Sequence, residues 1–453
     1  MRYGLMLAVL LSAWFMAQFD FFVVNVAAPA IERDLHAGPA ALELIVGGYA
    51  FAYAAGMITG GRLGDQYGPR RLFVIGMLAF TLASLLCGLA ATSAQLVAAR
   101  LLQGLAGALM VPQVLAVITA TIPAEARPRA LGWYGAAGGL GSIAGQVLGG
   151  LLLHVDVLGL GWRIIFLVNV PVGVVAAILA LRLLPRTPPR GRAGLDPLGA
   201  AGIALTLALL LVPMALGRTE GWPPWTWVSL AAALPVGALT LLWQRRLAAT
   251  GGQPVLDLTL FRVPSYVAGL AAITAFMAYF ASFMFTLTLL LQGGLGLNAL
   301  QAGLTFAPMG VLFSTTALLS SRLVARYGMR VLLVGGAITI TGLLLLAATG
   351  ERGMPWPLPA LALVGFGNGL TLPQLIHAAL VDVRPERAGI GSGILTTAQQ
   401  FAGAAGVAVV GSVFFAVASS RGYGPAMEAA ALIDIALILI VMGLVSFIRR
   451  SAR

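Results

Sequence analysis

GGRLGDQYGPRR (Gly60 to Arg71) sits between two long apolar runs, and its pattern returns 260 residues later as SSRLVARYGMR (Ser320 to Arg330), again between two apolar runs. A polar, arginine-bearing turn at the same place in both halves reads as an internal duplication of a helical bundle, each copy carrying an equivalent hinge on the same membrane face. A second echo agrees with it. Gly104 lies eight positions before Pro112, which is followed by Gln113, and Gly365 lies eight before Pro373, followed by Gln374. Helices sharing a glycine and a proline at this spacing are expected to bend at equivalent depths.

The composition sets the class around these repeats. Hydrophobic residues make up 60% of the 453, charged residues 9%, and the mean hydropathy is +0.97, which excludes a water-soluble fold. Fourteen apolar runs are long enough to cross the bilayer, beginning near Leu5 and ending with one near Met427; a helix needs about 20 residues for that. They are continuous and rich in Leu, Ala and Gly rather than alternating, so their backbone groups are satisfied inside helices and not in a closed barrel. The expected fold is an all-α polytopic membrane protein with fourteen transmembrane helices. Two polar stretches, LPRTPPRGRAGLDP (Leu184 to Pro197) and QRRLAATGGQP (Gln244 to Pro254), divide it. They give a six-helix bundle over 1–184, a linker with two inserted helices over 185–253, and a second six-helix bundle over 254–453.

The net charge of +12 comes from 27 arginines and no lysine. With the N-terminus placed inside, 21 arginines fall on the cytoplasmic face, five on the other, and Arg100 within the fourth span. This asymmetry predicts a multi-pass protein of the cell membrane with both termini cytoplasmic. Arginines at helix ends are explained by anionic headgroups, so a nucleic-acid partner is not expected. The first run is too long for a cleaved signal peptide and holds Asp20 and Asn25, so it is expected to be retained. Without lysine there is no phosphate-cradling P-loop. His36, His154 and His377 lack metal-ligand spacing, Cys87 is alone, and no stretch has room for a catalytic domain. No metal, cofactor or enzymatic activity is expected; active transport would draw on an ion gradient.

Polar residues inside the spans are the candidates for function. Asp20 lies roughly 22 Å into the first span, where an uncompensated carboxylate costs about 2.5 to 3.5 kcal/mol or more. It needs a partner or a proton, and reads either as a proton-coupling group or as part of a locked structural network. Arg100 shares a stripe with Gln103, Gly104, Gly107 and Ala108, so it is expected to reach Asp20 or the Gln18 and Asn25 face of the first helix, unless it only binds backbone carbonyls. Asp434 reads as a second titrating acid or as a residue reaching the outer headgroup region, and Glu43 as interfacial. Asp65, with Arg70 and Arg71, reads as a cytoplasmic latch aimed at a helix start near Pro385; the repeated turn has Ala325 in place of the acid. Gly138, Gly141, Gly145 and Gly149 form a small-residue stripe expected to meet a helix from the other half. Phe276, Tyr279, Phe280 and Phe283 form an aromatic face suited to planar or cationic lipophiles. Thr371, Gln374 and His377 recur at every third position of the twelfth span and are candidates to meet that cargo, as are Gln18, Phe22 and Asn25 on the first. Packing and contact with lipid are the competing roles for both stripes.

An ordered set of motifs resembles the fourteen-spanner drug:proton antiporters of the major facilitator superfamily over nearly the whole chain. FDFFVVNVAAPAI (Phe19 to Ile31) resembles the first-helix signature, GRLGDQYGPRR (Gly61 to Arg71) the loop between helices two and three, and VAARLLQGLAGA (Val97 to Ala108) the fourth-helix motif. Gly132, Gly141, Gly145, Gly149 and Gly150 match the antiporter glycine spacing, GWRIIFLVNVPVG (Gly161 to Gly173) the sixth-helix entrance, and PVLDLTLF (Pro254 to Phe261) the start of the second half. Phe22, Ala28 and Gln146 depart from a usual threonine, leucine and proline; the last removes a kink and adds a buried amide. The resemblance implies proton-coupled export of lipophilic, often aromatic, small molecules by a monomer that exposes a midplane cavity to each side by turns, with Asp20 as the coupling acid and the ninth-span aromatics beside the cavity. A proton symporter or facilitator for a sugar or organic anion would share the fold. A membrane-embedded enzyme would need a polar catalytic cluster at one interface, and none is visible.

Overall fold

The computed structural model describes residues 2–123, 126–156, 159–185, 196–217, 220–252, 254–349, 352–380, 382–383 and 388–451. Among them every regular element is helical, and 14 helices are long and apolar enough to cross a membrane. Residues 186–195 of the expected linker and the expected helix start near Pro385 lie outside the described residues. The chain forms two compact units: unit 1 is Met1–Phe21, Ala30–Gly141 and Asp156–Leu258, and unit 2 is Phe22–Pro29, Ser142–Val155 and Thr259–Arg453. Helices α1 (Arg2–Leu35) and α5 (Arg127–Val155) therefore contribute to both.

In unit 1 the quoted repeat is a one-residue turn. Helix α2 (Pro39–Tyr67) ends at Gly68, whose φ of 92° suits glycine and whose N–H bonds the Gly64 carbonyl at 2.9 Å. Pro69 then opens α3 (Pro69–Gly88), where a missing N–H is harmless. Helix α4 (Ser93–Thr121), capped by the Thr92 side chain, packs against both α2 and α3. A Cβ on Gly104 would stand 2.3 Å from the Tyr49 carbonyl oxygen, so α2 and α4 touch backbone to backbone. The sixth span is broken into α6 (Ile164–Leu167) and α7 (Asn169–Leu183). The inserted pair, α8 (Pro197–Leu216) and α9 (Pro224–Ala249), pack on each other, and α8 rests on α2.

Unit 2 repeats the plan. Helices α10 (Pro264–Leu289), α11 (Ala299–Thr305) and α12 (Ala307–Tyr327) lead to Gly328, with φ of 66° and its N–H on the Val324 carbonyl at 2.7 Å. Then come α13 (Arg330–Thr349), α14 (Pro357–Leu380), α15 (Ala388–Arg421) and α16 (Tyr423–Ser451). Helix α14 packs on α12 and α13 as α4 does on α2 and α3. A Cβ on Gly365 would stand 2.1 Å from the Met309 carbonyl oxygen. The prolines of the sequence echo, Pro112 and Pro373, both lie inside continuous helices. Their neighbours do matching work: Gln113 donates to the Gly60 carbonyl at 2.8 Å, and Gln374 to the Ser320 hydroxyl at 2.9 Å, so each ties its helix to the start of the repeated stretch. Polarity is inverted relative to a soluble protein. Ile75, Leu78, Leu82 and Leu86 of α3 are exposed, whereas Asp20, Arg100 and Gln103 have 0% exposure.

Candidate functional site

Asp20, on α1, is the centre of a buried polar network in unit 1. Arg100 and Gln103, one turn apart on α4, reach it from one face. Arg100 Nη1 donates to Asp20 Oδ2, and Gln103 Nε2 donates to Oδ1 at 2.8 Å. Asn169, the first residue of α7 and freed toward the centre by the break after α6, donates to Oδ1 at 2.9 Å. Gln103 Oε1 accepts from Arg100 Nη1 at 2.7 Å, while its amide nitrogen also donates to Ser84 Oγ of α3 at 2.7 Å. Arg100 Nε donates to the Ile45 carbonyl of α2 at 3.0 Å, and its guanidinium carbon lies 4.6 Å from the Tyr49 ring centroid and 5.6 Å from that of Phe166. Both rings present the electron-rich face that attracts a cation. The remaining guanidinium nitrogen, Nη2, makes no hydrogen bond among the described residues. Two opposite charges are thus buried together away from water, which is tolerable only because each compensates the other.

Unit 2 buries a second carboxyl, Asp434 of α16, at 0% exposure. Its Oδ1 is 2.9 Å from Ser282 Oγ of α10, and its Oδ2 has no hydrogen-bond partner among the described residues. Beside it, Asn368 Nδ2 of α14 donates to the Tyr279 hydroxyl at 3.0 Å, and Thr339 of α13 donates to Asn368 Oδ1 at 3.2 Å. The expected alternative of a headgroup-reaching Asp434 is corrected: α10, α13 and α15 pack around α16 and enclose it. Glu43, in the second turn of α2, is only 4% exposed, because it shares the face that buries Val46 and Ala50.

The other expected residues are spread over several places. Gln18 is half-buried, its Cβ beside Gly141; Phe22 and Asn25 are buried, and Phe22 meets Phe280 edge-on. Phe276, Tyr279, Phe280 and Phe283 are buried and pack ring against ring. A groove of about 510 Å³ opens on a different face of α10, lined there by Thr274 and Ala278 and across from it by Phe401 of α15 and Leu437 of α16. Thr371 bonds the Gly367 carbonyl of its own helix at 2.9 Å, Gln374 is engaged by Ser320, and His377 is exposed. Asp65 is half-buried and near Arg62; Arg70 donates to the Leu181 carbonyl at the end of α7, and Arg71 is exposed. On α5, Gly138, Gly141 and Gly149 close against Trp14, Phe15 and Val23 of α1, and Gly145 is buried. The approach to helices of the second sequence half is made instead by Ile143, Gln146 and Gly150, which meet Gly310, Gly303 and Ala299. That face is turned by one residue from the expected stripe. Gln146, where the resemblance would have a proline, keeps its backbone carbonyl against Gly303, and neither end of its buried amide is hydrogen-bonded among the described residues.

Asn169, Ser84, Ser282 and Asn368 were missed by sequence reasoning. The available signal was a neutral polar side chain inside an apolar run, the same signal that singled out Asp20, only weaker.

With this geometry in place, the comparisons are specific. The family model of the Major Facilitator Superfamily matches residues 10–407. The chain is 38% identical to the probable actinorhodin transporter of Streptomyces coelicolor, over 92% of this chain and 73% of that protein. It is 34% identical to the cephamycin export protein CmcT of Amycolatopsis lactamdurans, over 88% of this chain and 82% of that one. Its fold matches a crystal structure of an auto-inhibited POT family peptide transporter with a TM-score of 0.69 at 17% identity, covering 98% of this chain and 96% of the other. A helical membrane architecture, a duplicated glycine turn and a family match across most of the length lead to one conclusion: the chain belongs to the Major Facilitator Superfamily and is a membrane transporter, not an enzyme.

Proposed function

We propose that this transporter is a proton-coupled exporter of lipophilic, aromatic small molecules that works by alternating access. The observation that carries the reading is Asp20, fully buried and held at once by Arg100, Gln103 and Asn169. As an anion, Asp20 satisfies all three donors. A proton on it cancels the charge that compensates Arg100 and turns one carboxyl oxygen from acceptor into donor. Arg100 then keeps the Gln103 and Ile45 carbonyls but no anion, and an uncompensated buried charge costs about 3–5 kcal/mol. A rearrangement that gives the guanidinium another partner becomes favourable, which ties proton uptake on one side and release on the other to a change of shape.

Export of drug-like cargo is supported by relatives named for actinorhodin transport and cephamycin export. The arginine asymmetry supports a cytoplasmic-membrane location with both termini inside, and the monomer is taken as the working unit. Proteoliposomes holding the full chain, with actinorhodin as the probe, are expected to show several-fold faster flux under an imposed pH gradient. Asp20→Asn is expected to abolish that acceleration. Gradient-driven flux that survives unchanged in the variant would remove Asp20 from coupling, and a wild type indifferent to the gradient would remove proton coupling itself.

A further inference from the structure

The two units build their buried polar networks from corresponding helices. In unit 1 the first, third, fourth and sixth spans meet, through Asp20, Ser84, Arg100 with Gln103, and Asn169. In unit 2 the same set of spans meets, through Tyr279 and Ser282 of α10, Thr339 of α13, Asn368 of α14 and Asp434 of α16. Gln103 stands one residue before Gly104, and Asn368 three after its counterpart Gly365. The second network is therefore displaced by about one helical turn. The carboxyl has moved from the first span of the bundle to the sixth. Among the described residues, no arginine pairs with it.

We propose that Asp434 is a second proton-binding site of this transporter, formed with Ser282 and independent of the Asp20–Arg100 pair. It deepens the proton-coupled reading above, but its own geometry carries it. Ser282 Oγ lies 2.7 Å from the Ala278 carbonyl, 2.9 Å from the Tyr279 carbonyl and 2.9 Å from Asp434 Oδ1. The hydroxyl has one hydrogen, and the backbone carbonyls can only accept. Given to Oδ1, that hydrogen holds an ionised Asp434; given to a carbonyl, it leaves the short contact to a hydrogen on Asp434 donated to Ser282 Oγ, so the pair accommodates the carboxyl with and without its proton. A proton there also removes the burden of an ion with 0% exposure and an oxygen, Oδ2, that no donor reaches among the described residues.

Among the described residues, no charged side chain compensates Asp434. Of the helices packed on α16, α10 supplies Tyr279, within electrostatic reach of Asp434, and Tyr266, which is tied to the Gly391 carbonyl; α13 has Arg330 at its first residue, and α15 has Arg421 at its last. On α16 itself, Glu428 and Tyr423 are exposed, and Arg449 and Arg450 stand in its last turn, about four helical turns from Asp434. The ion pairs Arg100–Asp20 and Arg163–Asp34 both lie in unit 1, and Asp434 belongs to neither. Asp434 thus binds its proton in a neutral setting, whereas Asp20 exchanges its proton against a guanidinium.

Infrared spectroscopy of the purified full chain in phosphatidylglycerol-containing vesicles tests this without cargo or flux. Wild type at neutral pH is expected to show a protonated-carboxyl C=O band of about one carboxyl's intensity that disappears reversibly as the pH is raised. Asp20→Asn is expected to keep that band, Asp434→Asn to lose it, and Ser282→Ala to retain it at a shifted frequency because its hydrogen-bond partner is gone. A full wild-type band in Asp434→Asn, an unshifted band in Ser282→Ala, or a band that persists unchanged to pH 10 would each overturn the assignment. Because no transport is measured, failure of Asp20 coupling in the flux experiment leaves this result standing, and the reverse also holds.

Discussion

At the scale of single residues, the Asp20–Arg100 pair makes a sharp thermodynamic prediction. Each side chain has 0% exposure and compensates the other. Arg100→Leu alone leaves an anion with only Gln103 and Asn169 as donors, and should destabilise the protein by about 3–5 kcal/mol. Adding Asp20→Leu should recover much of that loss, because the second change removes the stranded charge. Thermal unfolding in detergent of the two single variants and the double variant checks this; a double variant as unstable as the sum of the singles would show that the pair is not coupled. Asp20 and Arg100 were legible in the sequence because a charge inside an apolar run has few explanations. Asn169 and Ser84 were not, since a neutral polar side chain carries no mark of the face it occupies, and its partner is fixed only when α3, α4 and α7 pack together.

Elements show where sequence repeats determine structure and where they underdetermine it. The turn at Gly68 and its copy at Gly328 were legible because a helix reversal of one or two residues that passes through positive φ calls for glycine. The α5 stripe was only half legible: glycines mark a small face, but not which neighbour takes it, and a rotation of one residue moved the approach from Gly145 and Gly149 to Gln146 and Gly150. Close backbone contact does give a prediction. Gly104→Ala and Gly365→Ala each place a Cβ within 2.3 Å of a carbonyl oxygen, on Tyr49 and Met309 respectively, so helix α4 or α14 must move. Both should lose about 1–3 kcal/mol. Gly47→Ala, in the interior of α2 with nothing within 4 Å of the new Cβ, serves as the control and should gain about 0.5–1 kcal/mol from helix propensity. Differential melting of the three variants checks the order; a Gly365→Ala protein as stable as wild type would break the structural equivalence of α4 and α14.

At the scale of the whole molecule, the inserted pair α8–α9 is joined to the rest of unit 1 at one carboxylate just outside the spans. Asp196 caps α8 through the Gly199 N–H at 2.8 Å, accepts from Trp243 Nε1 at 2.8 Å and Gln244 Nε2 at 2.6 Å at the end of α9, and receives the Val255 N–H at 3.4 Å. Gln244 Oε1 in turn accepts the Leu256 N–H at 2.9 Å, and Arg62, from the repeated stretch itself, donates to the Pro254 carbonyl. The start of α8, the end of α9, the chain leaving toward α10 and the α2 end of the decisive turn therefore share one polar joint. Burial alone would push the Asp196 carboxyl up, but the hydrogen bonds from Trp243, Gln244, Gly199 and Val255 outweigh it and hold the group below the usual carboxylate range. A depressed folded-state value stabilises the fold above the unfolded value of about 3.9 and loses that contribution as pH falls through the folded one. Asp196→Ala should thus cost about 1.5–3 kcal/mol at neutral pH. The gap to wild type should stay level between pH 5 and 8 and close on acidification below about pH 4. Unfolding midpoints of both proteins across that range decide it: a gap that persists or widens in acid would mean that the joint is held by packing of α8 on α2, with the carboxylate contributing little.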